Sequence, residues 1–170
     1  MEQKGQRMLA AAGLAVGAVF GMAGTFVPSD TLRGLAWGID GVSLVMASAL
    51  LVVIQIRKGQ DLLAAGFLIF AIGQCLVLSS AALSLVEGAP SFGAGAGLWA
   101  AGLALVSTPK SFHIIVRLLG FLAAILFAIV AMQIFAGVHI VATTSPLPFF
   151  AYPVLVGTMI GWIWALLRGK

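Results

Sequence analysis

The stretch Arg33-Gly34-Leu35-Ala36-Trp37-Gly38-Ile39-Asp40-Gly41 sets one carboxylate, that of Asp40, inside a long run of apolar and small residues. Arg33, Trp37 and Asp40 are spaced four and then three residues apart, so in a helix they share one face. The pattern predicts a helix over about 31–56 that holds an acid well inside an apolar segment. Asp40 is therefore the strongest functional clue in the sequence.

The composition around this stretch points to a lipid environment. Hydrophobic residues make up 62% of the 170 residues and charged residues only 8%, which is too little polar surface for a water-soluble globule. A spanning helix needs about 20 apolar residues, so the length suffices for about six spans and leaves no soluble domain. The apolar runs lack strand alternation, and backbone groups in hydrocarbon need partners within the chain. We therefore expect an all-α integral membrane protein, a compact bundle of six transmembrane helices in one domain.

Apolar runs separated by charged and turn-forming residues set the expected limits of these spans. The predicted bounds are approximately 8–27, 31–56, 62–86, 92–108, 114–137 and 149–167. The first run is longer than the core of a signal peptide and lacks an Ala-x-Ala cleavage site, so we expect it to be retained. The fourth is the weakest, because glycines crowd its first half, and a short or broken helix is the alternative. The segment 143–150 is either a lid over the outer end or an interfacial linker.

The basic residues fix the expected orientation. If the N-terminus is cytoplasmic, eight basic residues fall on the inner side: Lys4, Arg7, Arg57, Lys58, Lys110, Arg117, Arg168 and Lys170. The outer side then holds Arg33 alone. Because cytoplasmic loops are enriched in Lys and Arg, we expect both termini to be cytoplasmic. The expected location is a multi-pass position in a bacterial inner membrane.

Helix geometry brings a second polar residue to the level of Asp40. Asp40 follows Arg33 by seven residues, so it lies roughly 10 Å deeper from the outer side at 1.5 Å per residue. Gln74 follows Leu62 by 12 residues and lies roughly 18 Å up from the inner side. In a hydrocarbon core about 30 Å thick the two levels are close, so Asp40 and Gln74 are expected to meet between the second and third helices.

Two interpretations of Asp40 follow from the cost of a carboxylate at this depth, which requires a partner and a position facing the bundle or water. In the functional interpretation Asp40 titrates or binds a cation, Trp37 forms a wall, Arg33 guards the outer mouth and Gln74 donates a hydrogen bond. In the structural interpretation Asp40 pins neighbouring helices together through hydrogen bonds. The predicted binding residues are thus Asp40, Trp37, Arg33 and Gln74.

Other kinds of chemistry have no support in the sequence. His113 and His139 fall on opposite membrane faces, so they cannot share a metal ion, and the serines have no nearby histidine to act as a base. Cys75 is the only cysteine, so no intramolecular disulfide is possible. The basic residues are scattered rather than gathered on one face, which argues against nucleic acid as a partner. We predict no enzymatic activity, no metal and no cofactor.

The leading hypothesis is a protein that binds or passes a small solute or ion from the outer side, at a site around Asp40. The alternative is an accessory or scaffold subunit of a larger membrane complex. Beside the lipid bilayer, a second copy or other membrane subunits are expected partners through glycine-rich helix faces. One glycine face lies in the first helix, and we expect it first of all to let another backbone pack closely: Gly13, Gly17, Gly21 and Gly24.

Overall fold

The computed structural model describes residues 2–84, 86–140, 143 and 145–168, and these form six α-helices without any strand. The helices are α1 (Glu2–Phe26), α2 (Asp30–Arg57), α3 (Asp61–Ala81), α4 (Ala89–Ser107), α5 (Ile114–Phe135) and α6 (Pro146–Leu167). All six are long and apolar enough to cross a membrane. The predicted all-helical class and the number of helices are confirmed.

The helices form a closed ring. Each packs against its neighbours in the chain, and α1 also packs against α6. Short connections make successive helices antiparallel, so the connections alternate between two ends of the ring. We call the end with the α2–α3 and α4–α5 turns the basic end, because seven of the eight described Lys and Arg residues lie there. Arg33 lies at the opposite end.

Helix α3 is shorter than predicted and ends at Ala81 rather than at residue 86. The chain after it is held by local hydrogen bonds in which the Ser84 hydroxyl donates to Glu87 Oε2 at 2.7 Å and the Ser84 carbonyl accepts from the Gly88 N–H at 2.8 Å. Serine side chains that bond locally compete with helical hydrogen bonds. These bonds turn the chain back toward α4.

Helix α4 is continuous from Ala89 to Ser107, so the expected weakness of the fourth span is not present. It begins three residues before the predicted start at Phe92, with Pro90 in the first turn, where proline is well tolerated. Its glycines do not break the helix because they lie against neighbouring helices, as Gly95 and Gly102 do against α3. Tertiary packing outweighs their low helix propensity.

The α5–α6 connection also differs from the predicted limits. Helix α5 ends at Phe135, and Gly137 adopts a left-handed φ of 83° that lets the Val138 N–H reach the Gln133 carbonyl at 2.9 Å. Helix α6 begins at Pro146, three residues before the predicted start. The segment 143–150 lies partly outside the described residues, and its part from Pro146 onward is the first turn of α6 rather than a separate lid.

An aromatic cluster fills the inside of the ring between α3, α4, α5 and α6. Phe67 meets Trp162 edge to face with ring centroids 5.0 Å apart, and Trp99 meets Phe127 in the same way at 5.0 Å. Phe70 stacks on Trp99 at 5.8 Å. Each such pair adds about 0.5–1.5 kcal/mol beyond the burial of its area. This side of the ring is therefore rigidly packed.

Candidate functional site

A cavity lies inside the ring toward the end opposite the basic end. Its walls come from α1, α2, α3, α4 and α6, with Ile140 from the α5–α6 connection. The volume of the cavity is about 50 Å³, and a cavity needs roughly 10–15 Å³ to hold a single water. The cavity therefore has room for several waters or for one small solute.

Asp40 and Gln74 meet at the wall of this cavity, as the helix geometry predicts. Asp40 is 8% exposed and Gln74 is 1% exposed, and Gln74 Nε2 donates to Asp40 Oδ2 at 3.2 Å. The carboxyl oxygen of Asp40 is the acceptor in this bond, and the amide of Gln74 donates through its N–H₂ group. The second polar atom of the amide, Gln74 Oε1, is buried and has no partner in the described structure.

The space for Asp40 is made by glycines on α1. We call the contact of Gly13, Gly17, Gly21 and Gly24 with α2 the α1 seam. A Cβ atom on Gly21 would lie 3.2–3.4 Å from the carboxylate atoms of Asp40, and one on Gly17 would lie 3.2 Å from Asp40 Oδ1 and collide with Leu44. Small residues let helices approach closely, and here they seat the acidic side chain between α1 and α2.

Trp37 and Arg33 occupy different surroundings although they share a helix face with Asp40. Trp37 lines the cavity, and its indole lies so close to Gly24 that a Cβ atom there would meet the ring. Arg33 is absent from the cavity wall. Its Nη1 atom pairs with Asp30 at 2.6 Å and its Nη2 atom donates to the Val27 carbonyl at 3.0 Å. Arg33 thus ties the α1–α2 turn together, and only three of the four predicted residues border the cavity.

Three aromatic residues distant in sequence complete the wall: Phe92, Trp99 and Tyr152. Trp99 contacts Tyr152 edge to face with ring centroids 6.1 Å apart, and both rings also pack against Phe127. The Trp99 Nε1 atom is buried without a hydrogen-bond partner among the described residues. Sequence reasoning missed these residues. The one available signal was Tyr152, the only tyrosine of the chain and an amphipathic residue in an apolar run.

A second glycine contact positions Gln74 and Trp99. We call it the α3–α4 seam, and its members are Gly66, Gly73, Gly95 and Gly102. A Cβ atom on Gly73 would lie 2.9 Å from the Gly95 carbonyl oxygen and 3.0 Å from Trp99 Cδ1. The two backbones are therefore in direct contact, which fixes the Trp99 ring beside the turn of α3 that holds Gln74.

The electrostatics of the cavity are simple. Among the described residues that line it, Asp40 is the only carboxylate and none is Lys, Arg or His. Ser80 also borders the cavity, but its hydroxyl donates to the Val77 carbonyl at 2.6 Å. Apart from the Gln74 amide and the Tyr152 hydroxyl, the remaining side chains of the wall are aliphatic or aromatic. One acidic group thus faces a small, largely apolar space with no protein cation to balance it.

No group of three or more His, Cys, Asp or Glu residues is placed to hold a metal ion in the part of the chain described. Comparison with known protein families, curated proteins and solved structures finds no match for the chain. The function is therefore argued from the geometry and chemistry of the site.

Proposed function

We propose that the chain is a multi-pass membrane protein whose six helices all cross the bilayer. The outer faces of the ring support this, because many large apolar side chains are exposed there, including Val19 (64%), Val42 (66%) and Ile125 (58%). Monomeric soluble proteins rarely expose such extensive apolar surface. Lipid is the solvent that matches it.

The proposed orientation places the basic end in the cytoplasm, with both termini there, and the cavity toward the outer side. The charge asymmetry between the two ends supports it. Labelling single cysteines in the Cys75→Ser background tests it: a membrane-impermeant maleimide should reach a cysteine at Ser29 in intact cells but not one at Lys58. The opposite labelling pattern would reverse the orientation.

We further propose that the protein is not an enzyme and binds or passes a small solute or ion at the site around Asp40. The observation that supports this best is the buried carboxylate of Asp40, which borders a cavity with the Gln74 amide as its only hydrogen-bond partner among the described residues. A carboxylate that served only to fix two helices would need no adjacent empty space. Trp37, Trp99 and Tyr152 form the surrounding walls.

Passage through the ring would require a route beyond the cavity. On α2 the buried polar residues Ser48 and Gln55 continue the face of Asp40 toward the basic end. Ser48 Oγ and Gln55 Oε1 are buried and without partners in the described structure. Unpaired polar atoms of this kind are costly, and a pathway used during transport would explain their position. This line of residues supports passage in addition to binding.

Native mass spectrometry of the protein released from nanodiscs tests the binding function. The wild type should retain a small molecule that the Asp40→Asn variant loses. Asp61→Asn serves as the control, because Asp61 is an exposed acid in the first turn of α3 at the basic end, and it should retain the same mass as the wild type. A spectrum that shows no small molecule but the added mass of another membrane protein would favour the accessory-subunit role.

The accessory or scaffold role is the second candidate. Each glycine of the two seams lies against a neighbouring helix of the ring, so the seams are not free to dock another chain. Gly34 and Gly38 remain: they lie four residues apart on α2, and a Cβ atom at either would meet nothing within 4 Å. A small-xxx-small pair of this kind can form a helix-packing face. Crosslinking at these positions would reveal such a partner.

A further inference from the structure

In its ionised form, the carboxylate of Asp40 has no cationic partner among the described residues. Its carboxylate has one neutral partner, the Gln74 amide, and Arg33, the basic residue on its helix face, is engaged with Asp30 and Val27. An ionised group in low-dielectric surroundings is costly unless it is paired and hydrogen-bonded. A ligand that carries a positive charge would supply the missing partner.

The walls of the cavity favour an organic cation. Four aromatic residues line it: Trp37, Phe92, Trp99 and Tyr152. The faces of such rings carry partial negative charge and attract ammonium groups, with Trp the strongest of the three residue types. Two of these rings, Trp99 and Tyr152, are held rigidly by their contacts with each other and with Phe127. Their positions at the cavity wall are therefore fixed.

Hard metal ions suit this wall less well. Ca²⁺ takes 6–8 oxygen ligands and Mg²⁺ requires near-octahedral coordination. The side-chain oxygens at the cavity are the carboxylate of Asp40, the amide oxygen of Gln74 and the hydroxyls of Tyr152 and Ser80. The Ser80 hydroxyl is already bonded to a backbone carbonyl. Leu44, Val77 and other aliphatic side chains occupy the rest of the wall.

Size and hydrogen bonding define the ligand further. A cavity with room for several water molecules can hold a ligand of roughly four or five non-hydrogen atoms. Asp40 offers two carboxylate oxygens, and Gln74 Oε1 is an acceptor without a partner in the described structure. A protonated alkylamine has N–H donors for these oxygens and alkyl groups for the aromatic and aliphatic walls.

We propose that the cavity binds a small protonated alkylamine, with its ammonium group on Asp40 and Gln74 and its alkyl part among Trp37, Trp99 and Tyr152. This inference rests on the proposed binding function and names the ligand class. If the alkylamine inference is wrong, the proposed binding function still stands for another solute.

Isothermal titration calorimetry on the protein in nanodiscs of zwitterionic lipid tests the inference with two probes of one shape. tert-Butylammonium and tert-butanol differ at one position, where the cation carries an ammonium group and the alcohol a hydroxyl. We expect saturable binding of tert-butylammonium, about 10-fold or more tighter than that of tert-butanol, because hydrogen bonds to charged groups are the strong ones. Tetramethylammonium, which has no N–H donor, should bind more weakly than tert-butylammonium.

Four variants locate the binding. Asp40→Asn should weaken tert-butylammonium binding about 10-fold or more, while Asp61→Asn leaves it unchanged. Trp37→Leu should weaken it about 2- to 10-fold through the lost cation–π contact. Trp164→Leu is its control, since Trp164 lies under Arg168 near the end of α6. Trp37 is only half-buried, so its variant also provides a test if Asp40→Asn fails to fold.

The outcomes separate the two proposals. Three results would overturn the alkylamine proposal. The protein could bind tert-butanol as tightly as tert-butylammonium, or bind tetramethylammonium more tightly. It could also bind Na⁺ in a way that depends on Asp40 while binding no amine. If the native spectrum still shows a small molecule lost in Asp40→Asn, the binding function stands and only the ligand class is wrong. If no probe binds and no small molecule is retained, both proposals fail.

Discussion

The two glycine seams differ in which atoms of the neighbouring helix their glycines contact. In the α1 seam, Cβ atoms on Gly17, Gly21 and Gly24 would meet side chains of α2, among them those of Asp40 and Trp37. In the α3–α4 seam, a Cβ atom on Gly102 would meet backbone atoms, with the Gly66 carbonyl oxygen at 2.8 Å. The first seam makes room for the site, and the second holds two backbones together. Substitutions in the α3–α4 seam should therefore mainly lower stability, and substitutions in the α1 seam should mainly weaken ligand binding.

The largest effect is expected in the α3–α4 seam. Gly102→Ala places a methyl group against the Gly66 carbonyl and the backbone of Phe70, and neither can move without shifting a helix. Overpacking that forces backbone shifts typically costs about 1–3 kcal/mol, and we expect a loss of stability at the upper end of that range, about 3 kcal/mol. Reversible unfolding in detergent measures it.

The control lies on the same helix. A Cβ atom on Gly97 meets only Ala131 at 3.6 Å, an ordinary contact, and alanine has the higher helix propensity by about 1 kcal/mol. Gly97→Ala should leave stability unchanged or raise it. Equal losses for the two variants would show that the close backbone approach is not what stabilises this seam.

Gln74→Leu should have the next largest effect. It removes the hydrogen-bond partner of Asp40 and leaves a buried carboxylate unsatisfied, which costs about 1–3 kcal/mol. The double variant Asp40→Asn, Gln74→Leu removes the charge as well and should regain part of the loss. A double variant less stable than Gln74→Leu alone would mean that the loss comes from packing rather than from the carboxylate.

A smaller effect is expected in the α1 seam. Gly24→Ala pushes against the Trp37 indole, which is half-buried and can shift toward the cavity, so we expect about 1 kcal/mol of lost stability. The affinity for tert-butylammonium should also fall, because the displaced indole enters the cavity. Gly38→Ala on α2, where a Cβ meets nothing, is the control. If Gly24→Ala lost as much stability as Gly102→Ala, the proposed difference between the two seams would be wrong.

Much of the architecture was predictable from the sequence, because it follows from local rules. Six apolar runs of sufficient length define six helices, and the rise per residue places Asp40 and Gln74 at one level. The end of α3 was not predictable from hydropathy, since Val86 continues the apolar run while the hydroxyl and carbonyl of Ser84 hold the chain in a turn. Hydropathy detects burial in lipid but not local hydrogen bonds.

The site was predictable only in the part built by adjacent helices. Asp40 and Gln74 lie on neighbouring helices, so depth alone brings them together. Trp99 and Tyr152 come from α4 and α6, and their position depends on the closure of the ring through the contact of α1 with α6. The α1 glycines were visible as a stripe. Their role in seating Asp40 depends on the rotation of α1 against α2, which the spacing does not define.

The native mass spectrum of Asp40→Asn tests most directly the central claim that Asp40 serves the cavity rather than pinning the helices. Asparagine keeps an oxygen that accepts from Gln74 Nε2 and removes the cost of a buried charge, so the unfolding temperature should equal that of the wild type or exceed it. We predict that this folded variant loses the small molecule that the wild type retains. A folded variant that retains the molecule, or an unfolding temperature that falls as far as that of Gln74→Leu, would contradict the claim and make Asp40 a packing residue.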